Sequence, residues 1–299
     1  MVIDANIAVM QLSGLIRQIL RRPQPARRAV ERLELHVTHA CNLTCDSCSH
    51  YSNHNHHGQL TLAEADRWMG LWSPRLAVSE FHLLGGEPTI HPDLPGFVTL
   101  ARRHWPDAFI RIRTNGFFLH RHPGLPALLA ADGRAAISVA VHHDSAEYRE
   151  HLQPIFDLIG RWQRDFAVQI DVDQSFANWT QRYRGFGATM EPFADAAPRA
   201  SWEICPARFC KQLFEGKIYK CAPLAYLQMQ KAKYDLSSKW DFYLGYQGLD
   251  PSCSDRELDA FIAKEEEPYC AMCSARRRPL DLTIPIRSRQ KSMAPSPAN

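Results

Sequence analysis

The chain lacks an apolar run approaching the roughly 20 residues that a membrane-spanning helix needs, which excludes an integral helical membrane protein. It also lacks the pattern of a secretory signal. Asp4 stands where a positive segment belongs, and polar residues interrupt the apolar ones that follow. There is no strong charge of one sign, since the net charge is only +3. That balance is uneven along the chain. Residues 1–32 carry +4 and residues 274–299 carry +5, which leaves −6 for the middle. A nucleic-acid enzyme would place basic charge around its site, so nucleic acid is not an expected partner and the basic ends read as solvated termini. No internal repeat appears beyond an alternation of strands and helices. A hydrophobic fraction of 45% and a charged fraction of 22% are ordinary for a folded globular protein. What the cysteines lack is an even count. There are nine, bunched at short spacings, which argues against a disulfide framework and for metal in a reducing compartment, so a cytoplasmic protein is expected.

The 299 residues suit one large α/β unit with a small appendage. An amphipathic helix is expected over 3–20, followed by a Pro-broken linker over 21–28. Strands are predicted over 33–38, 78–84, 109–113, 136–141 and 168–172, with helices over 60–71, 97–104 and 147–162 between them. Such alternation implies βαβ units and a parallel sheet. A sixth strand over 186–194 is a weaker expectation, because Pro192 interrupts it. After about residue 195 the pattern changes to a hairpin over 211–221 turning at Glu215–Gly216, a helix over 255–264, and a cysteine pair. The expected organisation is a helix and linker over 1–32, a core over 33–195, a cysteine-bearing module over 196–278 and a mobile tail over 279–299.

Chemistry concentrates directly after the first strand. Cys41, Cys45 and Cys48, spaced by three and two residues, let one loop present three thiolates to one metal group. Three protein ligands leave one position open. Zinc is the alternative, since His50, His54, His56 and His57 follow closely. The second strand runs into Leu84-Gly85-Gly86-Glu87-Pro88, where two glycines permit close backbone approach to a ligand and a carboxylate can accept from an ammonium group. The third ends in Thr114-Asn115-Gly116. The fourth carries Ser138 and leads to His142, His143 and Asp144, and the fifth carries Asp171 and Asp173 on one face.

Together the three-cysteine loop, the GGEP turn and the TNG turn resemble the radical S-adenosylmethionine (SAM) superfamily. The resemblance implies a partial (β/α)6 TIM-like barrel. It further implies a [4Fe–4S] cluster on Cys41, Cys45 and Cys48 with an open iron for SAM, and SAM contacts from Gly85, Gly86, Glu87, Pro88, Asn115 and Ser138. The family has an aromatic residue before the third cysteine where this chain has Ser47; His50 or Tyr51 are the residues that could compensate.

The remaining cysteines are Cys205, Cys210, Cys221, Cys253, Cys270 and Cys273. A hairpin flanked by Cys205 and Cys221 and followed by the CxxC pair Cys270 and Cys273 can close a four-cysteine site, for zinc or for a cluster. This arrangement resembles the Twitch module, a shortened SPASM domain of radical SAM enzymes with a small β-hairpin and helix. The resemblance implies an auxiliary [4Fe–4S] cluster on Cys205, Cys221, Cys270 and Cys273. Cys210 and Cys253 are left over. They read as buried thiols or, with His143, as candidate catalytic residues.

The resemblance implies an enzyme that cleaves SAM to a 5′-deoxyadenosyl radical and abstracts hydrogen from a small polar substrate, carbohydrate-like or aminocyclitol-like. Oxidation would follow, with the auxiliary cluster as electron acceptor. A leader-binding domain at the N-terminus is not expected. The alternatives are a peptide-modifying maturase or epimerase and, from another class, a non-catalytic iron–sulfur or zinc module. A flavodoxin or ferredoxin is the expected reductant.

Overall fold

The computed structural model describes residues 26–286. The helix expected over 3–20 lies outside the described residues, as does most of the linker. Seven strands form one sheet: β1 (Arg28–Thr38), β2 (Leu76–Gly85), β3 (Phe109–Thr114), β4 (Ala135–Val141), β5 (Gln169–Gln174), β6 (Cys210–Phe214) and β7 (Lys217–Tyr219). Their spatial order is β5-β4-β3-β2-β1-β6-β7, and every pairing is parallel except β6 with β7. β1 to β5 thus follow one another in space as they do in sequence. A sheet wound in one direction keeps its crossover helices on one face and curves toward a barrel, unlike a doubly wound sheet.

The alternation within the strands shows the same thing. In β1, Leu33, Leu35 and Val37 are buried beneath the helices, while Glu34, His36 and Thr38 face the other way. β3 repeats the pattern with Ile110 and Ile112 against Arg111 and Arg113. The helices α1 (Leu62–Trp72), α2 (Leu94–His104), α3 (Leu125–Asp132) and α4 (Ala146–Phe166) supply Met69, Trp72, Phe97, Leu129, Leu152 and Trp162 to that apolar layer. The opposite face is a polar lumen. Thr61 and Glu64 form a capping box that starts α1, and the Ser145 hydroxyl caps α4. α4 runs unbroken past Pro154, longer than the sequence pattern predicts.

The sixth parallel strand is not where the sequence places it. Residues 186–194 hold a short 3-10 turn at Gly187–Thr189 and an isolated bridge between Arg184 and Glu191. The sixth place in the sheet is filled from the other side, by β6 of the hairpin, which pairs with β1 over Arg32–Leu35. The hairpin turns at Glu215–Gly216 as expected, with both residues at positive φ (50° and 75°), the geometry of a two-residue hairpin turn. Beyond it lie α6 (Ala222–Lys233), the single turn α7 (Asp241–Leu244) and α8 (Asp255–Ala263), with the short α5 (Pro198–Glu203) before it. A second apolar cluster holds Leu224, Tyr226, Leu227 and Trp240 together, and Tyr51 from the cysteine loop packs into it. No helix among the described residues is long and apolar enough to cross a membrane.

Candidate active site

The C-terminal ends of β1 to β4 surround one cavity of about 400 Å³. This is where parallel βα architectures carry their chemistry. Cys41, Cys45 and Cys48 line it, together with Gly85, Gly86, Glu87 and Asn115. The floor is the polar lumen: Arg32, Glu34, His82 and Arg113.

The GGEP turn does something different from the expected backbone approach to a ligand. The Gly86 N–H donates to Thr38 O and the Glu87 N–H to Ala40 O, both at 2.8 Å. A Cβ at Gly85 would lie 2.2 Å from Thr38 O, and one at Gly86 would lie 2.2 Å from Ala40 O. The glycines therefore let β2 press against the root of the cysteine loop. Glu87 is buried and accepts from the Asn115 N–H at 2.7 Å, the Thr89 N–H at 3.0 Å and the hydroxyls of Thr89 and Thr114. Burial pushes its carboxyl above the usual range, against these hydrogen bonds that pull it down. Pro88 starts the 3-10 turn that follows and does not line the cavity. The Asn115 amide donates to Asn42 Oδ1 at 2.8 Å, so the TNG turn also clasps the cysteine loop.

Ser138 departs from expectation. Its hydroxyl accepts from Arg111 Nη1 at 2.8 Å, deep in the lumen, and it does not line the cavity. Ala140 and His142 are the residues that β4 and its following loop present. Asp171 and Asp173 are paired with Arg111 (2.7 Å) and Arg113 (3.0 Å). His142 lines the cavity edge-on to Trp179, and burial and the Arg113 charge hold it at about 4, neutral near pH 7. His143 lies outside the cavity lining, bonded to Leu282 O at 3.0 Å and to the Ser145 N–H at 3.0 Å. Cys253 is likewise remote, 3.3 Å from Arg75 Nη1 and outside the cavity lining. Cys210 does line the cavity, 3.4 Å from Arg32 Nη1, with its thiol pushed up by burial and by Glu34.

Segment 175–183, which carries no periodic pattern, supplies Asn178, Trp179, Thr180 and Arg182 to the wall. Sequence reasoning passed over it because an irregular loop has no spacing to read. Tyr51 is buried in the second apolar cluster and does not take the place of the aromatic missing at Ser47. His50 lines the cavity. The other histidines of the zinc alternative scatter to separate partners: His54 to the Tyr183 hydroxyl at 3.0 Å, His56 to Gln230 at 2.6 Å, and His57 to the surface.

A separate group gathers the C-terminal cysteines. The Cys221 thiol is held well above its usual range by burial, then by the closeness of Cys205, Cys273 and Cys270. Cys221 is the residue before α6, Cys205 follows α5, Cys270 lies within the 3-10 turn Pro268–Met272, and Cys273 directly follows that turn. The Ser201 hydroxyl of α5 bonds Cys273 O at 3.0 Å and fastens the two pieces.

A family model for the radical SAM superfamily matches residues 35–157, the stretch from β1 into α4. This segment carries the chain's likeness to that superfamily. The GTP 3′,8-cyclase of Photorhabdus laumondii is 29% identical over 147 residues, covering 48% of this chain and 42% of that protein. The GTP 3′,8-cyclase of Aquifex aeolicus is 22% identical over 275 residues, covering 85% and 80%. Most of the matched stretches thus span less than half of the relatives' own length. Among solved structures, BtrN in complex with AdoMet and 2-DOIA aligns with a TM-score of 0.49 at 17% identity, covering 83% of this chain and 94% of that one.

A radical SAM domain uses a [4Fe–4S] cluster and SAM, and the donor set fits. Burial raises the Cys45 thiol, and the neighbouring Cys48 and Cys41 raise it further. The Cys48 thiol goes the other way: burial opposes its ionisation, but the hydrogen bond and charge of His50 outweigh it and lower the thiol, which favours the thiolate that a metal group needs. Among the described residues no three metal-binding side chains converge on a single bare ion.

Proposed function

We propose that Cys41, Cys45 and Cys48 hold a [4Fe–4S] cluster with one iron open for SAM, and that the enzyme takes a hydrogen atom from a small polar, carbohydrate-like or aminocyclitol-like substrate. One observation carries this reading: the three cysteines share one cavity wall with the strand-end turns and look onto a polar floor. When bound, the cluster supplies the electron that cleaves SAM to methionine and a 5′-deoxyadenosyl radical, the abstracting species. The protein's own residues do the rest. The Gly85–Glu87 and Asn115 contacts fix the loop that carries the cysteines. Trp179 and His142 close one side of the cavity against water. Arg32, Glu34, His82 and Arg113 offer donors and acceptors to hydroxyl groups, a polarity that an apolar peptide side chain would not match.

We read Cys205, Cys221, Cys270 and Cys273 as the ligands of an auxiliary [4Fe–4S] cluster. Pro206 and Ala222, each next to one of those cysteines, line the same cavity. Once the hydrogen atom is taken, oxidation of a secondary alcohol to a ketone releases the hydroxyl proton and one electron, and a cluster held by these cysteines would take that electron. A reductant of the flavodoxin or ferredoxin type is the partner this chemistry asks for.

The names of the sequence relatives favour a second reading, radical cyclisation of a nucleotide. The test is anaerobic reconstitution followed by incubation with SAM, reductant and deuterated candidate substrates. Deuterium appearing in 5′-deoxyadenosine from a sugar or aminocyclitol, with a ketone product, supports the first reading. Transfer from GTP supports the second. Complete failure to cleave SAM sinks both and leaves a non-catalytic metal module.

A further inference from the structure

A second cavity of about 340 Å³ abuts the first, and Asn178, Thr180 and Pro206 line both. Its other walls include Cys205, Arg208 and Arg277. Arg277, an exposed residue of the basic C-terminal stretch, lines this cavity and has no hydrogen bond or ion pair among the described residues. Arg208 uses one N–H on Glu203 O at 2.7 Å, and its guanidinium is held against Trp202 and Phe209, 5.4 and 4.9 Å from their ring centres. The rest of its planar fork is open. Glu203, the acidic residue of the lining, has its charge answered by Arg199 at 2.9 Å. The Asn178 side chain also has no hydrogen bond among the described residues. Arg182 stands at the junction, lining the first cavity with Nη1 4.0 Å from Cys205 Sγ.

We propose that this groove binds a phosphate group carried by the substrate, with Arg208 and Arg277 as its ligands and Asn178 as a neutral donor. The inference rests on the reading that the first cavity takes a small polar substrate, and it adds that substrate's charge. Two guanidiniums with unused forks match the charge of a phosphate ester, −1.5 to −2 near pH 7, and its three acceptor oxygens. A cationic amine would be repelled at this end. The shared lining lets one molecule place its reacting carbon in the first cavity and its phosphate in the second.

Anaerobic calorimetry on the reconstituted full chain tests this, with glucose 6-phosphate, glucose and glucuronate as probes. Glucose 6-phosphate should bind about ten-fold more tightly than either of the others, since charge-assisted hydrogen bonds to an ion are worth that much or more. R208Q and R277Q should each remove about that advantage, while R103Q, far out on α2, should keep it. Glucose 6-phosphate binding equal to that of glucose, glucuronate binding equally well, or variants that retain wild-type affinity would each overturn the phosphate site. Saturation with SAM should leave the phosphate titration intact; displacement would mean that the groove receives the SAM carboxylate and would also overturn it. Iron content and SAM binding are measured on the same samples. Protein that binds SAM but not the phosphate ester refutes this site alone, whereas protein that binds no SAM refutes the radical reading.

Discussion

Ser47 Oγ accepts the backbone N–H of Arg182 at 2.7 Å and that of Tyr183 at 3.4 Å. Ser47 holds a left-handed backbone (φ 52°), and the Trp179 indole N–H donates to Asp46 O at 2.6 Å. The residue that departs from the superfamily's aromatic pattern is thus the anchor for segment 179–183. S47A would leave two partly buried N–H groups without their acceptor, at a cost of about 1–3 kcal/mol. The expected result is a lower melting temperature and faster loss of iron, read by calorimetry and iron analysis. Unchanged iron retention would show that the anchor is dispensable.

G86A should be worse. Its Cβ would meet Ala40 O at 2.2 Å and His39 O at 2.8 Å, both backbone atoms that no rotamer change can move. Relief requires shifting the root of the cysteine loop away from β2, with overpacking costs of about 1–3 kcal/mol or more. We expect the variant to fold with little or no bound iron, as measured after anaerobic reconstitution. G124A, just before α3 at a negative φ (−83°) with no atom within 4 Å of its Cβ, controls for the loss of a glycine without a clash.

β1 to β5 were legible because each is an alternating or, in β4, a nearly continuous apolar run with a turn signal at its end. The motifs at those ends were legible for the same reason, being contiguous in sequence. What escaped was non-local. β6 reaches the sheet across β1, a pairing of residues some 178 positions apart that no window along the chain reveals. Trp179 and Arg182 come from an irregular segment. Ser138 had the right strand but sits too deep by a pair of residues, as Ala140 holds the lining position. The two glycines also carry a packing role that their spacing did not reveal, since each presses against the backbone at the root of the cysteine loop.

The nine cysteines should sort into three classes. With both cubanes formed, about eight irons per chain are expected. C41A should abolish SAM cleavage and retain about four irons. C270A should also retain about four irons, with the first cluster's spectrum intact. C253A should change neither iron content nor SAM cleavage, because its thiol meets Arg75 outside the cavity. Four irons plus zinc in the wild type would refute the auxiliary cluster.

Glu34 gives the lumen a pH signature. Burial opposes its charge, but the hydrogen bond and charge of His82 and the Gln212 amide at 2.5 Å outweigh burial and hold the carboxyl at about 2, against 4.5 for an unperturbed glutamate. Because the folded value is depressed, the stabilisation is present above 4.5 and is lost as pH falls from there toward 2, on the order of 3 kcal/mol in full. Acid also releases iron, so denaturant titrations of cluster-free protein isolate the effect. E34Q should flatten the dependence across that window, and an unchanged slope would assign it to other carboxylates.

The segment expected to begin a mobile tail at residue 279 is instead fastened to the cysteine loop. Pro285 O accepts from the Thr44 N–H at 2.9 Å and the Thr44 hydroxyl at 3.1 Å, and Leu43 bridges to Ile286. Asp46 Oδ2 accepts from the N–H and hydroxyl of Thr283, both at 2.8 Å. These contacts span Leu43 to Asp46, the stretch between and beside Cys41 and Cys45. Ending the chain after Arg278 therefore removes the acceptor for Thr44 and both donors to Asp46 while leaving every cysteine in place. Each lost bond is worth about 1 kcal/mol, and together they should let the loop open more often. We expect faster bleaching of the first cluster in air and weaker SAM binding, with the auxiliary cluster unaffected. Ending the chain after Ile286 keeps every one of these contacts and should bleach like the full chain. If both truncations bleach alike, the strap does not order the loop.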